Sequence, residues 1–139
     1  MVVLLFLYGV RQQFLFVNTD VTQTDQGAYI EMALTMKASN YTALTGRNRM
    51  PVYPFLLSLI YDAEMDDDAL FARGKLLNIG LALLILPLLY FVFRRYLPQF
   101  TAVNLILIHV FTVYIFKAAY VQTELLFYPV SYTHLTLPT

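Results

Sequence analysis

The chain has 139 residues, 59% of them hydrophobic and 13% charged, and a formal net charge of zero at pH 7. Soluble domains carry about 25% charged residues, so the composition, with a mean hydropathy of +0.61, excludes an ordinary water-solvated domain. Balanced charge excludes a broad basic field for nucleic acid, and the absence of cysteine excludes disulfides, thiolate metal sites and a cysteine nucleophile.

Residues 1–17 begin apolar, with Arg11-Gln12-Gln13 interrupting the run. A spanning helix needs about 20 apolar residues, so this stretch reads as the end of a first transmembrane helix whose N-terminal half is missing. A signal peptide fits poorly, because no basic region precedes it and no small-residue cleavage site follows. Asn18 to Asp25 is polar and turn-like. From Gln26 onward Tyr29, Met32, Ala33 and Met36 recur at helical spacing, which predicts an amphipathic helix capped by Asp25 and lying along the membrane surface. Asn40 to Asn48 reads as loop. Two prolines in Met50-Pro51-Val52-Tyr53-Pro54 bias Met50 and Tyr53 away from helix, so a short helix is predicted only over Phe55 to Tyr61.

Asp62 to Asp68 packs five acids into seven residues, a density that marks a solvated turn. Leu76 to Phe93 is 18 residues without a charge. As a helix it measures roughly 27 Å, close to the ~30 Å hydrocarbon thickness. Pro87 predicts a kink within this transmembrane helix. A short turn, Tyr96 to Thr101, leads to a second membrane run over 102–118, where Lys117 extends the helix by snorkelling. Residues 119–130 read as the start of another helix, with Glu124 ahead of Leu125-Leu126-Phe127. Arg73 and Lys75 at one end of the first run balance Arg94 and Arg95 at the other, so charge does not set the orientation. No internal repeat is present. Ser131 to Thr139 is similar to a peptide that arises when sequencing-adaptor DNA is translated at the end of an assembled fragment. It is expected to be a non-native tail.

The fold expected is therefore all-α: polytopic transmembrane helices with a long amphipathic extracytoplasmic loop, residues 18–75, after the first helix. Within that loop three motifs stand in order. They are Asp25-Gln26-Gly27-Ala28-Tyr29-Ile30-Glu31-Met32-Ala33, then Arg49-Met50-Pro51-Val52-Tyr53-Pro54, then Phe71-Ala72-Arg73 ahead of Leu76; Thr123-Glu124-Leu125-Leu126-Phe127 follows later. Together they resemble the N-terminal part of the GT-C-type polytopic glycosyltransferases, the group of protein O-mannosyltransferases and lipid A aminoarabinose transferases. Gln26 departs from that family's usual glutamate, which puts a two-carboxylate arrangement in doubt.

The resemblance covers roughly residues 1–130. It implies transfer of a sugar from a polyprenyl-phosphate carrier to a protein, lipid or glycan acceptor, with inversion at the anomeric carbon. It implies no cofactor besides the lipid-linked co-substrate, no metal, and a multi-pass place in a bacterial plasma membrane, the piece being inactive alone. Asp25 becomes the general base, with Asp20 as rival, and such proton transfer contributes about 10²–10⁴-fold. As a plain helix cap Asp25 would contribute ~1 kcal/mol. Arg47 and Arg49 suit a phosphate, because guanidinium donates paired hydrogen bonds. Arg73 and Lys75 read as interfacial anchors first and phosphate ligands second. Tyr29 and Tyr53 are candidates to line a sugar site, and Glu124 to contact the sugar or orient an arginine. His109 has no ligand-spaced partner and reads as a helix-packing hydrogen bond. Asp66-Asp67-Asp68 lacks the α/β surroundings of a nucleotide-sugar metal site. The alternative is a small transporter or assembly subunit in which Glu124, Lys117 and Arg11 are buried polar contacts.

Overall fold

The computed structural model describes residues 2–43, 50–62 and 64–124. Over these residues the chain is helical, and no strand occurs among them. Helix α1, Val2–Gln12, runs on through a π-helical turn, Gln13–Val17. Then come α2, Gln26–Ala38, α3, Val52–Ile60, and the long α4, Asp67–Tyr96. Helix α5, Gln99–His109, continues through a second π-helical turn, Val110–Tyr114, into α6, Ile115–Lys117. Two stretches, Asp67–Tyr96 and Gln99–Lys117, are long and apolar enough to cross a membrane.

Two apolar clusters organise these helices. In the first, Phe6 and Val10 of α1 meet Ile85 and Leu89 of α4 and Val110 and Tyr114 beyond α5. Gly9 lets α1 approach α6, since a Cβ there would fall 2.6 Å from Ile115 Cγ1. The second cluster joins α2, α3 and the start of α4 through Ile30, Tyr53, Leu57, Leu70 and Val121. Leu57 and Leu70 are wholly buried, and each such side chain contributes about 1.5–3 kcal/mol.

The segment expected as an active-site loop over 18–75 is thus mostly helical. The face Tyr29, Met32, Ala33 and Met36 of α2 is buried, as its spacing predicts. It packs inward on α3 and α4, so protein and not lipid covers that face. Helix α2 ends in a Schellman arrangement: Tyr41 N donates to Met36 O at 2.8 Å and Asn40 N to Lys37 O at 3.2 Å, with Asn40 at φ 50°, a conformation asparagine tolerates.

Helix α3 starts at Val52, not Phe55, and so includes Tyr53. Pro54 falls in the first turn, where its missing N–H would have no intrahelical partner, and burial of Tyr53 and Leu57 outweighs the local bias against helix before proline. Its C-terminal carbonyls are covered by two cations. Lys37 Nζ donates to Ser58 O and Tyr61 O at 3.1 and 3.0 Å, and Arg73 Nη1 to Ile60 O at 3.3 Å.

Helix α4 is longer than the uncharged run. The acidic stretch supplies its start: Asp66 Oδ1 accepts from Ala69 N at 2.7 Å, and Asp67 and Asp68 fill the first turn, where carboxylates favour the positive end of the helix dipole. The helix runs through Pro87 to Tyr96, so the turn before α5 shortens to Leu97-Pro98. The expected tail from Ser131 and the helix after Glu124 lie outside the described residues.

Candidate functional site

The polar residues between α1 and α2 are drawn together with the segment after α6. Asn18 Nδ2 donates to Gln26 Oε1 and Gln26 Nε2 to Asn18 Oδ1, both at 2.8 Å. Asn18 Nδ2 also reaches Ala119 O at 2.7 Å, Gln26 Nε2 reaches Gln23 O at 3.1 Å, and Val121 N donates to Gln26 Oε1 at 2.9 Å. Both side chains are wholly buried. Buried amides of this kind are stabilising only when satisfied. Gln26, where the family pattern has glutamate, is therefore a structural clamp. A carboxylate could not donate to Asn18 Oδ1 or Gln23 O.

Lys75 belongs to this clamp. It is buried, its Nζ donates to Phe14 O at 3.2 Å and Asn18 O at 3.0 Å, and it sits over the Phe14 and Phe71 rings. An ammonium on the last carbonyls of the π-helical turn is the charge that a helix C-terminus favours. Expected first as an interfacial anchor and second as a phosphate ligand, Lys75 has its ammonium turned inward onto these carbonyls. On the next turn of α4 the Asn78 amide donates to Tyr120 O and, at 3.1 Å, to Gln122 O.

Around this clamp lie four of the residues expected at the site, Asp25, Tyr29, Tyr53 and Glu124. Asp25 is exposed at the N-cap of α2, and its side chain makes no capping hydrogen bond. It follows Thr24, whose φ of 63° is costly for a β-branched residue, on the order of 1–3 kcal/mol. Thr24 is held there: its Oγ1 accepts from Gln122 Nε2 at 3.0 Å. One turn further on, the Tyr29 hydroxyl lies 3.2 Å from Thr123 Oγ1. The start of α2 is thus tied to Val121, Gln122 and Thr123 in succession, across more than ninety residues of chain.

Glu124 closes this region. It is half-buried and pairs with Lys117 Nζ at 3.1 Å, and Lys117 also donates to Gln122 Oε1 at 3.1 Å. Lys117, expected to lengthen a membrane run by snorkelling, is the cation paired with Glu124. Of the three polar residues named in the subunit alternative, Arg11 is exposed and Lys117 and Glu124 are half-buried within this chain. Tyr53 is wholly buried, its ring edge-on to Tyr29 at 5.5 Å. Burial pushes its phenol well above the ordinary value, and Tyr29 and Glu124 add to that shift.

Other expected residues stand apart. Asp20 is exposed in a tight local turn, where the Thr22 hydroxyl and N–H donate to its Oδ1 at 2.7 and 2.8 Å. These bonds hold its carboxyl below the ordinary value and make it a weaker base than an unbonded carboxylate. Arg73 engages the far end of α3 from Tyr53 and lines a cleft of about 560 Å³ with Leu59, Tyr61, Asp62, Leu76 and Leu77. Arg47 and Arg49 lie outside the described residues. His109 Nδ1 is 3.2 Å from Leu105 O of its own helix. Among the described residues no three metal-ligating side chains converge.

Sequence reasoning missed the clamp. Its one visible signal was polarity at the edge of apolar runs: Asn18 after the first run, Lys75 before the second and Asn78 just inside it. Set against known protein families, curated proteins and solved structures, the chain matches none.

Chemically, the region offers an exposed carboxylate on a fixed helix start, a carboxylate–ammonium pair, and threonine and tyrosine hydroxyls. Such a set suits a ligand with several hydroxyls.

Proposed function

We propose that the chain is part of a polytopic membrane glycosyltransferase that moves a sugar from a polyprenyl-phosphate carrier to an extracytoplasmic acceptor. The observation that carries the proposal is Asp25. It is an exposed carboxylate following a strained residue that Gln122 holds, and Gln122 in turn bonds the lysine paired with Glu124. Strain retained by surrounding contacts is a feature of functional sites.

In this reading Asp25 accepts the proton of an acceptor hydroxyl. The acceptor oxygen forms its bond to the anomeric carbon as the carbon–oxygen bond to phosphate breaks, and the lipid phosphate leaves with the electron pair. Arg47 and Arg49 hold that phosphate, and Glu124 with Lys117 orients the sugar. Between α1, α4 and α5 runs an apolar groove of about 390 Å³, lined by Phe6, Leu86, Pro87, Ile106 and Val110 among others, which suits an isoprenoid chain. The two long apolar helices support a multi-pass place in the membrane.

The test is Asp25→Asn in the full-length enzyme, with donor binding and turnover measured separately. Turnover is expected to fall about 10²–10⁴-fold with donor binding retained. Near-normal turnover would overturn the assignment.

A further inference from the structure

We propose that α3 lies in the phospholipid interface, with Val52, Phe55 and Leu59 inserted among the glycerol and first methylene groups. Helix α3 is apolar all round. Its only polar side chains, Tyr53 and Ser58, face inward with Pro54 and Leu57. Val52, Phe55 and Leu59, at i, i+3 and i+7, form one outward stripe, and they are 57, 41 and 55% exposed. Tyr41 broadens the stripe, its ring edge-on to Phe55 at 5.5 Å. A helix that is hydrophobic on every side needs a cover on each, and water is not one.

The position of α3 identifies that cover as lipid. Leu57 packs against Gly74, where a Cβ would lie 3.1 Å from Leu57 Cδ2. Gly74 stands two residues, roughly 3 Å of helix rise, before Leu76, the first residue of the charge-free run of α4. Leu76 is 58% exposed and shares the cleft of Leu59 and Arg73. The outward stripe of α3 therefore continues onto the exposed apolar flank of α4 formed by Leu76, Leu83, Leu84 and Leu88. Arg73, in the same cleft and three residues ahead of the charge-free run, reaches the level of lipid phosphates, as arginine flanking an apolar run does. The acids of 62–68 are close by, so the attachment is apolar and does not depend on anionic lipid. The inference rests on the membrane part of the proposed function and not on its transfer chemistry.

The chain has no cysteine, so single-cysteine spin labels report one position each. The full chain in phosphatidylcholine vesicles is labelled at Val52→Cys, Phe55→Cys and Leu59→Cys, with Glu64→Cys as aqueous reference and Leu84→Cys as bilayer reference. Collision with dissolved oxygen and with a water-soluble nickel chelate is measured at each. The three α3 labels are expected to favour oxygen, at a depth between the two references. Chelate access equal to that at Glu64→Cys overturns the proposal, and so does shielding from both reagents, which means a protein partner or second copy covers the stripe. If Leu84→Cys is also aqueous, the membrane reading itself fails; if only the α3 labels are aqueous, this inference alone does.

Discussion

Asn18 and Gln26 hold each other through two opposed amide hydrogen bonds of 2.8 Å, eight residues apart in the chain and wholly buried. Gln26 Oε1 also takes the N–H of Val121, so one side chain joins the end of α1, the start of α2 and the segment leading to Glu124.

Gln26→Glu is accordingly expected to weaken the fold. It removes the donor to Asn18 Oδ1 and Gln23 O and places a carboxylate in a buried site, a loss of about 3 kcal/mol. Thermal unfolding in detergent measures it, and a variant as stable as the parent would show that the amide is not required.

Lys75→Met keeps the length of the side chain and removes its charge. Phe14 O and Asn18 O lose their donor, and hydrogen bonds from a charged group contribute about 1.5–3 kcal/mol. The unfolding midpoint should fall, with faster amide exchange over Gln13–Val17. Unchanged exchange there would refute the link between Lys75 and the end of α1.

Thr22→Val removes the hydroxyl that Asp20 accepts while keeping the backbone N–H. Asp20 titrates below 3.8 because of both bonds, so its ionised form favours the fold above pH 3.8. That contribution disappears as the pH falls through the lowered folded value. In the variant the Asp20 carboxyl resonance should titrate closer to 3.8, and an unmoved titration would assign the shift to another cause.

Tyr53→Phe removes a buried hydroxyl that makes no hydrogen bond among the described residues. Stability at neutral pH should hold or rise, because an unsatisfied buried hydroxyl costs about 1–3 kcal/mol. The native protein keeps this phenol protonated while the unfolded chain loses its proton above pH 10.0, so stability declines as pH rises past that value. The variant should lack this alkaline decline. Unfolding curves at neutral and alkaline pH decide both points.

What could be read from the sequence was set by range. The uncharged run from Leu76 to Phe93 is a local property, and α4 contains it. The beginning of α4 was not legible, because Asp66 to Asp68 read as a solvated turn; they are exposed as expected, but as the cap and first turn of the helix. Tyr53 was misplaced by a rule about neighbouring residues, which the burial of Tyr53 and Leu57 overrides. Asp25 was placed correctly at the start of α2. The meaning of Gln26 was hidden, since Val121 lies 95 residues away and no pattern of spacing announces such a partner.

The length of α4 has a further consequence. Its 30 residues measure roughly 45 Å, about 15 Å more than the hydrocarbon layer of a bilayer. Lys75 and Asn78, which fasten the surrounding segments, ride on this one rod near its protruding end. Spanning helices answer a change of bilayer thickness by tilting. A change in the tilt of α4 therefore carries both fastened segments with it, because Lys75 holds Phe14 and Asn18 while Asn78 holds Tyr120 and Gln122.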